Sequence, residues 1–320
     1  MILIISESLE HSTGEVIAWL NYYGFKWFRV NDYHFVKNLK SELLSKKKDF
    51  EFFIDGVPIN YKDIYSIWYR RIPDVTNNPY IFPSNTDNQD LCHSAYQELR
   101  PIFYFFLSIL NKKKWLGDPD LSTTNKLHNL KLASELGINI PDTIITSNKA
   151  ELLNFRKNHK KIIVKPLHAI VKVLFKNTPY RTYTTLISDK WLKHLPDNFF
   201  PSLFQKYINK QYEIRTFFIN NNFYSMAIFS QADKQTSIDF RNYNYEKPTR
   251  RVPYKLPKKF EDKLREFMKL AYLNTGSIDI IRNEKNEYVF LEVNPVGQFG
   301  MVSKPCNYYL EQKIANFLNQ

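Results

Sequence analysis

The chain has 320 residues, 43% hydrophobic and 24% charged, with 8 Gly, 16 Pro and 2 Cys. That balance excludes collagen-like, mucin-like and wholly disordered chains, and it leaves room for two or so domains with sizeable cores. No run of about 18 apolar residues occurs, and the opening MILIISESLE lacks a basic start, so neither a transmembrane helix nor a signal peptide is expected. Cys92 and Cys306 stand alone, without metal-ligand spacing, and read as reduced bystanders in a cytoplasmic protein.

The net charge is +13. Residues 1–119 hold 14 basic and 14 acidic side chains, so the excess lies in the 31 basic and 18 acidic residues that follow. A positive second part favours anionic ligands, whether nucleic acid, nucleotide phosphates or an acidic peptide. The 21 Tyr and 25 Phe offer stacking surfaces, but no nucleic-acid motif accompanies them, and they read as core and rim residues.

In chain order, residues 2–5 form a short apolar run suited to a buried strand. Thr13-Gly14 opens a helix through Trp19 and Leu20, and Gly24 follows its end. Residues 25–30 and 64–69 read as further strands, which makes the start a βαβ, Rossmann-like lobe. The Asn-, Pro- and Ser-rich stretch 77–89 reads as a loop. Residues 91–110 are helical, with Pro101 expected to kink the helix or start a new one. A boundary is expected near Gly117-Asp118-Pro119, and Ser122-Thr123-Thr124 then offer caps for a helix reaching about Leu136, closed by Gly137. Beyond it come an extended segment at 143–146, a strand at 161–165, a helical stretch at 188–195, and strands at 203–208, 213–219 and 223–229. Residues 231–257 carry little periodicity. An amphipathic helix at 260–273, two more strands and a terminal helix at 308–318 complete the chain.

The strongest chemical signal lies near the C-terminus. Gly276-Ser277-Ile278-Asp279-Ile280-Ile281 and Tyr288-Val289-Phe290-Leu291-Glu292-Val293-Asn294-Pro295 flank a polar turn and predict a hairpin. A turn centred between Lys285 and Asn286 sets Asp279 opposite Glu292, with Asn294 on the same face as Glu292. Opposed Cβ atoms sit about 4.5–5.5 Å apart, where like charges repel. A hard cation such as Mg²⁺, shared with nucleotide phosphates, would offset that repulsion; a solvent-facing pair of acids is the plainer alternative. No GxxxxGK[ST] or kinase Gly-rich loop occurs, so a P-loop enzyme and a protein kinase are excluded. Lysines on regular elements remain to meet phosphates: Lys126 on a helix and Lys165 at a strand end. Gln205, Lys206, Tyr207 and Ile208 offer backbone groups to an adenine, and Glu213 and Arg215 put a carboxylate and a guanidinium on one strand face.

Taken in order, Lys126, Lys165, Gln205–Ile208, Glu213, Arg215, Asp279 and Glu292-Val293-Asn294-Pro295 resemble the ATP-grasp ligase superfamily over about residues 120–300. Trp68-Tyr69-Arg70-Arg71, Asn125-Lys126, Ser237-Ile238-Asp239-Phe240-Arg241 and Glu292-Val293-Asn294-Pro295-Val296-Gly297-Gln298-Phe299-Gly300 extend the resemblance over nearly the whole chain. They look like the ATP-grasp maturases of ribosomal peptides, the graspetide or microviridin-type synthetases, and the ending resembles the grasp-with-spasm branch. The resemblance implies a mixed α/β and α+β fold, with a Rossmann-like lobe at 1–119, a central lobe at 120–200 and a C-terminal lobe at 201–320. It implies ATP and Mg²⁺, with Lys126 and Lys165 on phosphates, Gln205–Ile208 on adenine, Glu213 on ribose, and Asp279, Glu292 and Asn294 on the metal. Arg241 would steer a substrate carboxylate, Asp239 would orient it or the nucleophile, and Arg215 would stabilise the oxyanion and departing phosphate. The implied activity is phosphorylation of Asp or Glu side chains in an acidic precursor peptide (leader plus core), then closure onto Ser, Thr or Lys as an ester or amide. A homodimer and a radical SPASM-type partner enzyme are implied by the resemblance alone. Where the family carries a Gly-rich flap, residues 165–172 contain no glycine, and His168 there reads as a polar loop residue. An amino-acid-appending ligase, a nucleotide-regulated peptide-binding module without catalysis, and a nucleic-acid-binding protein are the alternatives.

Overall fold

The structure is a computed structural model that describes residues 1–31, 40–44, 49–54, 56–71, 89–167, 172–175 and 178–320. The chain divides into two units. The first comprises Met1–Ser122, Leu273–Thr275 and Tyr309–Gln320, and the second comprises Thr123–Tyr272 and Gly276–Tyr308.

In the first unit, β1 (Ile2–Ile5), α1 (His11–Tyr22) and β2 (Trp27–Val30) make one strand–helix–strand step. Strands β3 (Lys40–Leu44), β4 (Asp49–Ile54) and β5 (Val57–Ile59) form a separate antiparallel sheet, and β6 (Ser66–Tyr69), α2 (Gln89–Ile109) and β7 (Lys114–Leu116) follow. The parallel sheet runs β2-β1-β6-β7, and every residue of β1 and β6 is buried, as a central parallel strand with both faces covered requires. This is the Rossmann-like lobe expected from the sequence. Two local expectations change. Glu10, not Thr13, caps α1: its carboxylate accepts from the Thr13 N–H at 2.6 Å and the Thr13 hydroxyl at 2.8 Å. Pro101 lies inside the single helix α2 instead of starting a second one. The loop expected at 77–89 lies almost wholly outside the described residues. The C-terminal helix packs against α1 and buries Leu310, Ile314, Ala315 and Leu318 in this unit.

The second unit opens with α3 (Lys126–Glu135), capped by Asn125, whose side chain accepts from the Leu127 and His128 N–H groups. The cap thus sits one residue beyond the Ser-Thr-Thr run. Strand β8 (Thr143–Asn148), α4 (Lys149–His159), β9 (Ile162–Lys165), β10 (Lys172–Phe175), β11 (Thr178–Arg181), β12 (Thr185–Leu186), α5 (Asp189–His194) and β13 (Asn198–Lys206) come next. Four of these strands form an antiparallel sheet in the order β12-β9-β13-β8, backed by Leu152, Ile162, Ile187, Leu192 and Phe204. Then come β14 (Lys210–Ile219), β15 (Asn222–Ile228), β16 (Arg251–Tyr254), α6 (Lys258–Leu270), β17 (Thr275–Asn283), β18 (Tyr288–Asn294), α7 (Gly300–Cys306) and the C-terminal helix, α8 (Leu310–Asn319). Five of those strands form a second sheet, β16-β15-β14-β17-β18. Helix α6 lays Leu264, Phe267 and Met268 against it, with the Phe267 ring 5.0 Å from that of Phe290 on β18. Among the described residues no helix is long and apolar enough to cross a membrane. Cys306 is a buried free thiol, and burial pushes it up to about 11, as an inert cysteine requires.

Candidate active site

The β17–β18 hairpin places Asp279 opposite Glu292. It does so by a route the sequence hides. Arg282 pairs with Tyr288 and Ile281 with Val289, so the turn centres on Lys285, half a residue earlier than expected. Ile280 then faces Phe290, and a bulge at Leu291 restores Asp279 to Glu292. The bulge also reverses the side-chain alternation. Phe290 points into the core, while Glu292 turns to the opposite face with Asp279. Asn294, at the strand end, pairs with Ser277.

Asp279 and Glu292 are 8% and 7% exposed, and two such acids repel unless cations meet them. Four do. Arg215, on the neighbouring β14, brings one guanidinium nitrogen to 3.1 Å from both oxygens of Asp279. Lys126, the first residue of α3, lies 3.2 Å from Glu292 and donates to the Pro166 carbonyl at 3.0 Å. Arg241 lies 3.9 Å from the other Glu292 oxygen, and Lys165 ends β9 at the same cleft. The two acids respond differently. Burial pushes the Asp279 carboxyl up, with Glu292 adding to the rise against the pull of Arg215. Burial acts on Glu292 in the same direction, but Lys165, Lys126 and Arg241 outweigh it and hold that carboxyl down. Burial also pushes the Lys165 ammonium down, against the pull of Glu292.

The end of β13, the start of β14 and the link between them build another wall of the cleft. Gln205 is 1% exposed; its amide nitrogen donates to the Thr143 hydroxyl at 3.0 Å, and its carbonyl oxygen has no partner. Glu213 accepts from Lys210 at 2.5 Å through one oxygen, and its other oxygen is likewise buried and unpartnered. Buried acceptors without donors are rare and mark a place where a ligand can supply them. The N–H groups of Lys206 and Tyr207 bond to the carbonyls of Asp142 and Lys161, and the exposed Lys206 ammonium pairs with Asp142.

A third wall comes from the irregular stretch expected at 231–257. It contains the short strand β16, and elsewhere side chains hold it together. The Thr236 hydroxyl donates to the Ser230 carbonyl, Gln231 to that of Ser237, Gln235 to that of Tyr243, and Asn244 to the Asp233 carboxylate. The segment presents Asp239 and Arg241 as a two-pronged pair at 2.8 and 2.7 Å, and the Thr184 N–H donates to Asp239 at 3.3 Å. Burial opposes ionisation of Asp239, but Arg241 outweighs it and lowers the carboxyl; burial likewise opposes the Arg241 charge, and Asp239 with Glu292 raises it.

Of the residues singled out in the sequence, Lys165, Gln205, Lys206, Tyr207, Ile208, Glu213, Asp239, Arg241, Asp279 and Glu292 line this one cleft. Lys126 and Arg215 pair with its carboxylates without being part of that lining. Asn294 stands at the hairpin end, half-buried and outside the lining. His168 and most of the glycine-free flap lie outside the described residues. Sequence reasoning missed Lys210 and the Thr184 N–H. Lys210 precedes Glu213 by three residues, which on a regular strand puts the two on opposite faces. Nothing in the pattern therefore couples them. Among the described residues no group of three His, Cys, Asp or Glu side chains gathers to hold a metal by itself. Two facing carboxylates nevertheless suit Mg²⁺, which usually takes one or two carboxylates and completes its shell with water and phosphate oxygens. The donor set fits Mg²⁺ bound with a nucleotide, and the two orphaned acceptors fit the nucleotide's hydroxyl and amino donors.

Residues 1–122 match the family described as the MvdD pre-ATP grasp domain, and the match ends where the second unit begins. The whole chain is similar to the macrocyclase MdnC of Microcystis aeruginosa MRC bound with the precursor peptide MdnA, at 27% identity and TM-score 0.83, covering 99% of each chain. Its first 122 residues carry the pre-ATP-grasp domain, and over its whole length the chain is similar to an ATP-grasp-type macrocyclase of a precursor peptide. The fold is also that of a Chryseobacterium gregarium RiPP-associated ATP-grasp ligase in complex with ADP and a leader and core peptide. That likeness has 24% identity and TM-score 0.86, over 99% of this chain and 96% of the other. The ATP-grasp ligase PsnB, complexed with minimal precursor, Mg and ADP, shares it at 16% identity and TM-score 0.78, over 99% and 96%. No protein of curated function matches the sequence. The ATP-grasp fold with a Rossmann-like first lobe is therefore as the sequence implied.

Proposed function

We propose that this protein joins side chains within an acidic, ribosomally made precursor peptide, linking Asp or Glu to Ser or Thr as an ester or to Lys as an amide. A side-chain carboxylate is a poor electrophile; ATP, bound with Mg²⁺, would supply the phosphoryl group that converts it to an acyl phosphate with a good leaving group. Asp279 and Glu292 would hold the metal, with Asn294 at the hairpin end as the third oxygen donor. Lys126 and Lys165 would meet the phosphates, Gln205–Ile208 the adenine and Glu213 the ribose. The division into lobes at 1–119, 120–200 and 201–320 assigns Lys126 and Lys165 to the central lobe and the metal pair to the C-terminal one.

Arg241 is locked by Asp239 yet about a third of its side chain remains exposed, so it can fork onto a substrate carboxylate without giving up its partner. Asp239 fixes that guanidinium and sits where a Ser, Thr or Lys nucleophile would approach. Arg215, fixed on Asp279, offers fixed positive charge to the developing oxyanion and the departing phosphate. The observation that carries this reading is the juxtaposition of two buried, facing carboxylates, four cations around them and the Asp239–Arg241 fork on one cleft.

The test is intact-mass spectrometry of an acidic precursor peptide, incubated with enzyme, ATP and Mg²⁺, with Glu292→Ala in parallel. Loss of one or more waters, absent with the variant, is the expected result. A mass gain instead would identify an appending ligase. An unchanged peptide despite ATP binding would leave a nucleotide-regulated binding module, and absence of ATP binding would overturn the assignment.

A further inference from the structure

Lys210 is a buried cation with no place in the roles assigned above. Its side chain is 2% exposed, although lysine is almost never fully buried without a reason. The ammonium donates to Glu213 at 2.5 Å and to the Ile238 carbonyl at 3.2 Å. Those two acceptors belong to different walls of the cleft. Glu213 keeps an unpartnered oxygen on the same cleft as the orphaned Gln205 carbonyl, where a nucleotide would lie. The Ile238 carbonyl belongs to the peptide bond that leads into Asp239, and Asp239 sets Arg241 by the fork at 2.7 and 2.8 Å and by accepting the Arg241 N–H at 3.1 Å. A displacement of Glu213 therefore reaches the substrate arginine through one ammonium, one peptide bond and one carboxylate.

We propose that Lys210 is a positioning residue that couples nucleotide binding at Glu213 to the placement of the Asp239–Arg241 fork. The inference rests on the reading of Glu213 as a nucleotide contact and Arg241 as a substrate contact. When a ribose hydroxyl donates to the free oxygen of Glu213, the carboxylate is fixed from both sides. Lys210 is then held between two rigid acceptors, and the 238–241 backbone loses freedom with it. The converse also holds by linkage: an ordered fork favours the nucleotide.

The experiment uses the full chain and ADP with Mg²⁺ as the probe, read by amide hydrogen exchange. In the wild type, saturating ADP with Mg²⁺ is expected to slow exchange at residues 238–242 by roughly fivefold or more. Lys210→Met keeps the apolar stem and removes the charge. It is expected to weaken ADP binding by roughly ten- to a hundredfold, and at saturating ADP to lose the nucleotide-dependent slowing at 238–242. A merely structural lysine would instead speed exchange equally with and without ADP and leave the nucleotide-dependent difference in place, and that result overturns the proposal. So does a variant that binds no ADP at millimolar concentration, because Lys210 would then be a nucleotide ligand and not a bridge. Should Lys210→Met not fold, the wild type alone can refute the idea: bound ADP without slowed exchange at 238–242 overturns the coupling and leaves the peptide-ligase reading intact. No ADP binding by the wild type overturns both.

Discussion

A carboxylate buried beside a second carboxylate keeps its charge only where cations approach from fixed directions. Arg215 does this for Asp279 with one nitrogen shared between both oxygens, and its side chain is held on the strand next to β17. Removing one partner of a buried pair costs about 3–5 kcal/mol, because the other is left uncompensated. Arg215→Met is therefore expected to lower ATP-dependent product formation by at least roughly 10²-fold, since Asp279 would take up a proton instead of binding a metal. Arg215→Lys keeps the charge but not the planar geometry, and falls between the two. Single-turnover rates at saturating ATP separate these outcomes. Equal activity of the methionine variant and the wild type would remove Arg215 from the site.

At the scale of single elements, caps and close approaches decide what the chain can do. Glu10 caps α1 and pairs with Arg70 at 3.0 Å. Burial opposes its charge, but Arg70 and the bonds from Ser12 and Thr13 outweigh that and lower its carboxyl from 4.5 to about 2. A lowered carboxyl contributes stability that is fully present above its unfolded value and lost as pH falls through the folded one. Glu10→Gln should thus destabilise the chain by about 2 kcal/mol at neutral pH, allowing for the water that still reaches the pair. The deficit should shrink between 4.5 and about 2, and denaturant unfolding across that range measures it. The turn after β18 is as tight. A Cβ on Gly297 would meet the Ser277 backbone nitrogen at 2.8 Å, and the Gly297 N–H already donates to the Asn294 carbonyl at 2.9 Å. Gly297→Ala must push β17 and the end of β18 apart, moving Asn294 away from Asp279 and Glu292, the pair proposed to hold Mg²⁺. The expected result is a raised Mg²⁺ requirement for ATP-dependent turnover with a smaller loss at saturating Mg²⁺; an unchanged Mg²⁺ dependence would take Asn294 out of the metal site.

Much of this was legible in the sequence because apolar alternation and turn chemistry announce strands and hairpins. The Asp279–Glu292 pairing emerged correctly even though the turn lies half a residue earlier than expected and the bulge was not anticipated, since the two effects cancel. Helix α4 went unseen because its exposed faces are polar; only Leu152 is buried along it. Its one audible signal was the cap, in which Asn148 accepts from the Ala150 and Glu151 N–H groups. Lys210 was invisible for a deeper reason: its partners, Glu213 and Ile238, become neighbours only through the bend before β14 and the return of the 231–250 stretch. Periodicity cannot report a contact between walls that the tertiary fold brings together.

At the scale of the molecule, the chain leaves the first unit after Ser122, builds the second, and returns to the first with its last twelve residues. The returning helix is structural to that unit. Leu310, Ile314, Ala315 and Leu318 are at most 1% exposed, and three of them are large side chains worth about 1.5–3 kcal/mol each when buried. Removing residues 309–320 would strip roughly 5–9 kcal/mol of burial and bare the α1 face that holds Val16 and Leu20. That is comparable with the whole stability of an ordinary domain, about 5–15 kcal/mol. The second unit keeps its sheets and every residue of the cleft when those residues are lost. A chain ending at Tyr308 is therefore expected to unfold in two steps, the first unit melting well below its temperature in the full chain and the second melting later, raised by ADP with Mg²⁺. Calorimetry with and without the nucleotide checks this: a single transition that ADP raises as a whole would mean that the first unit stands without its returning helix.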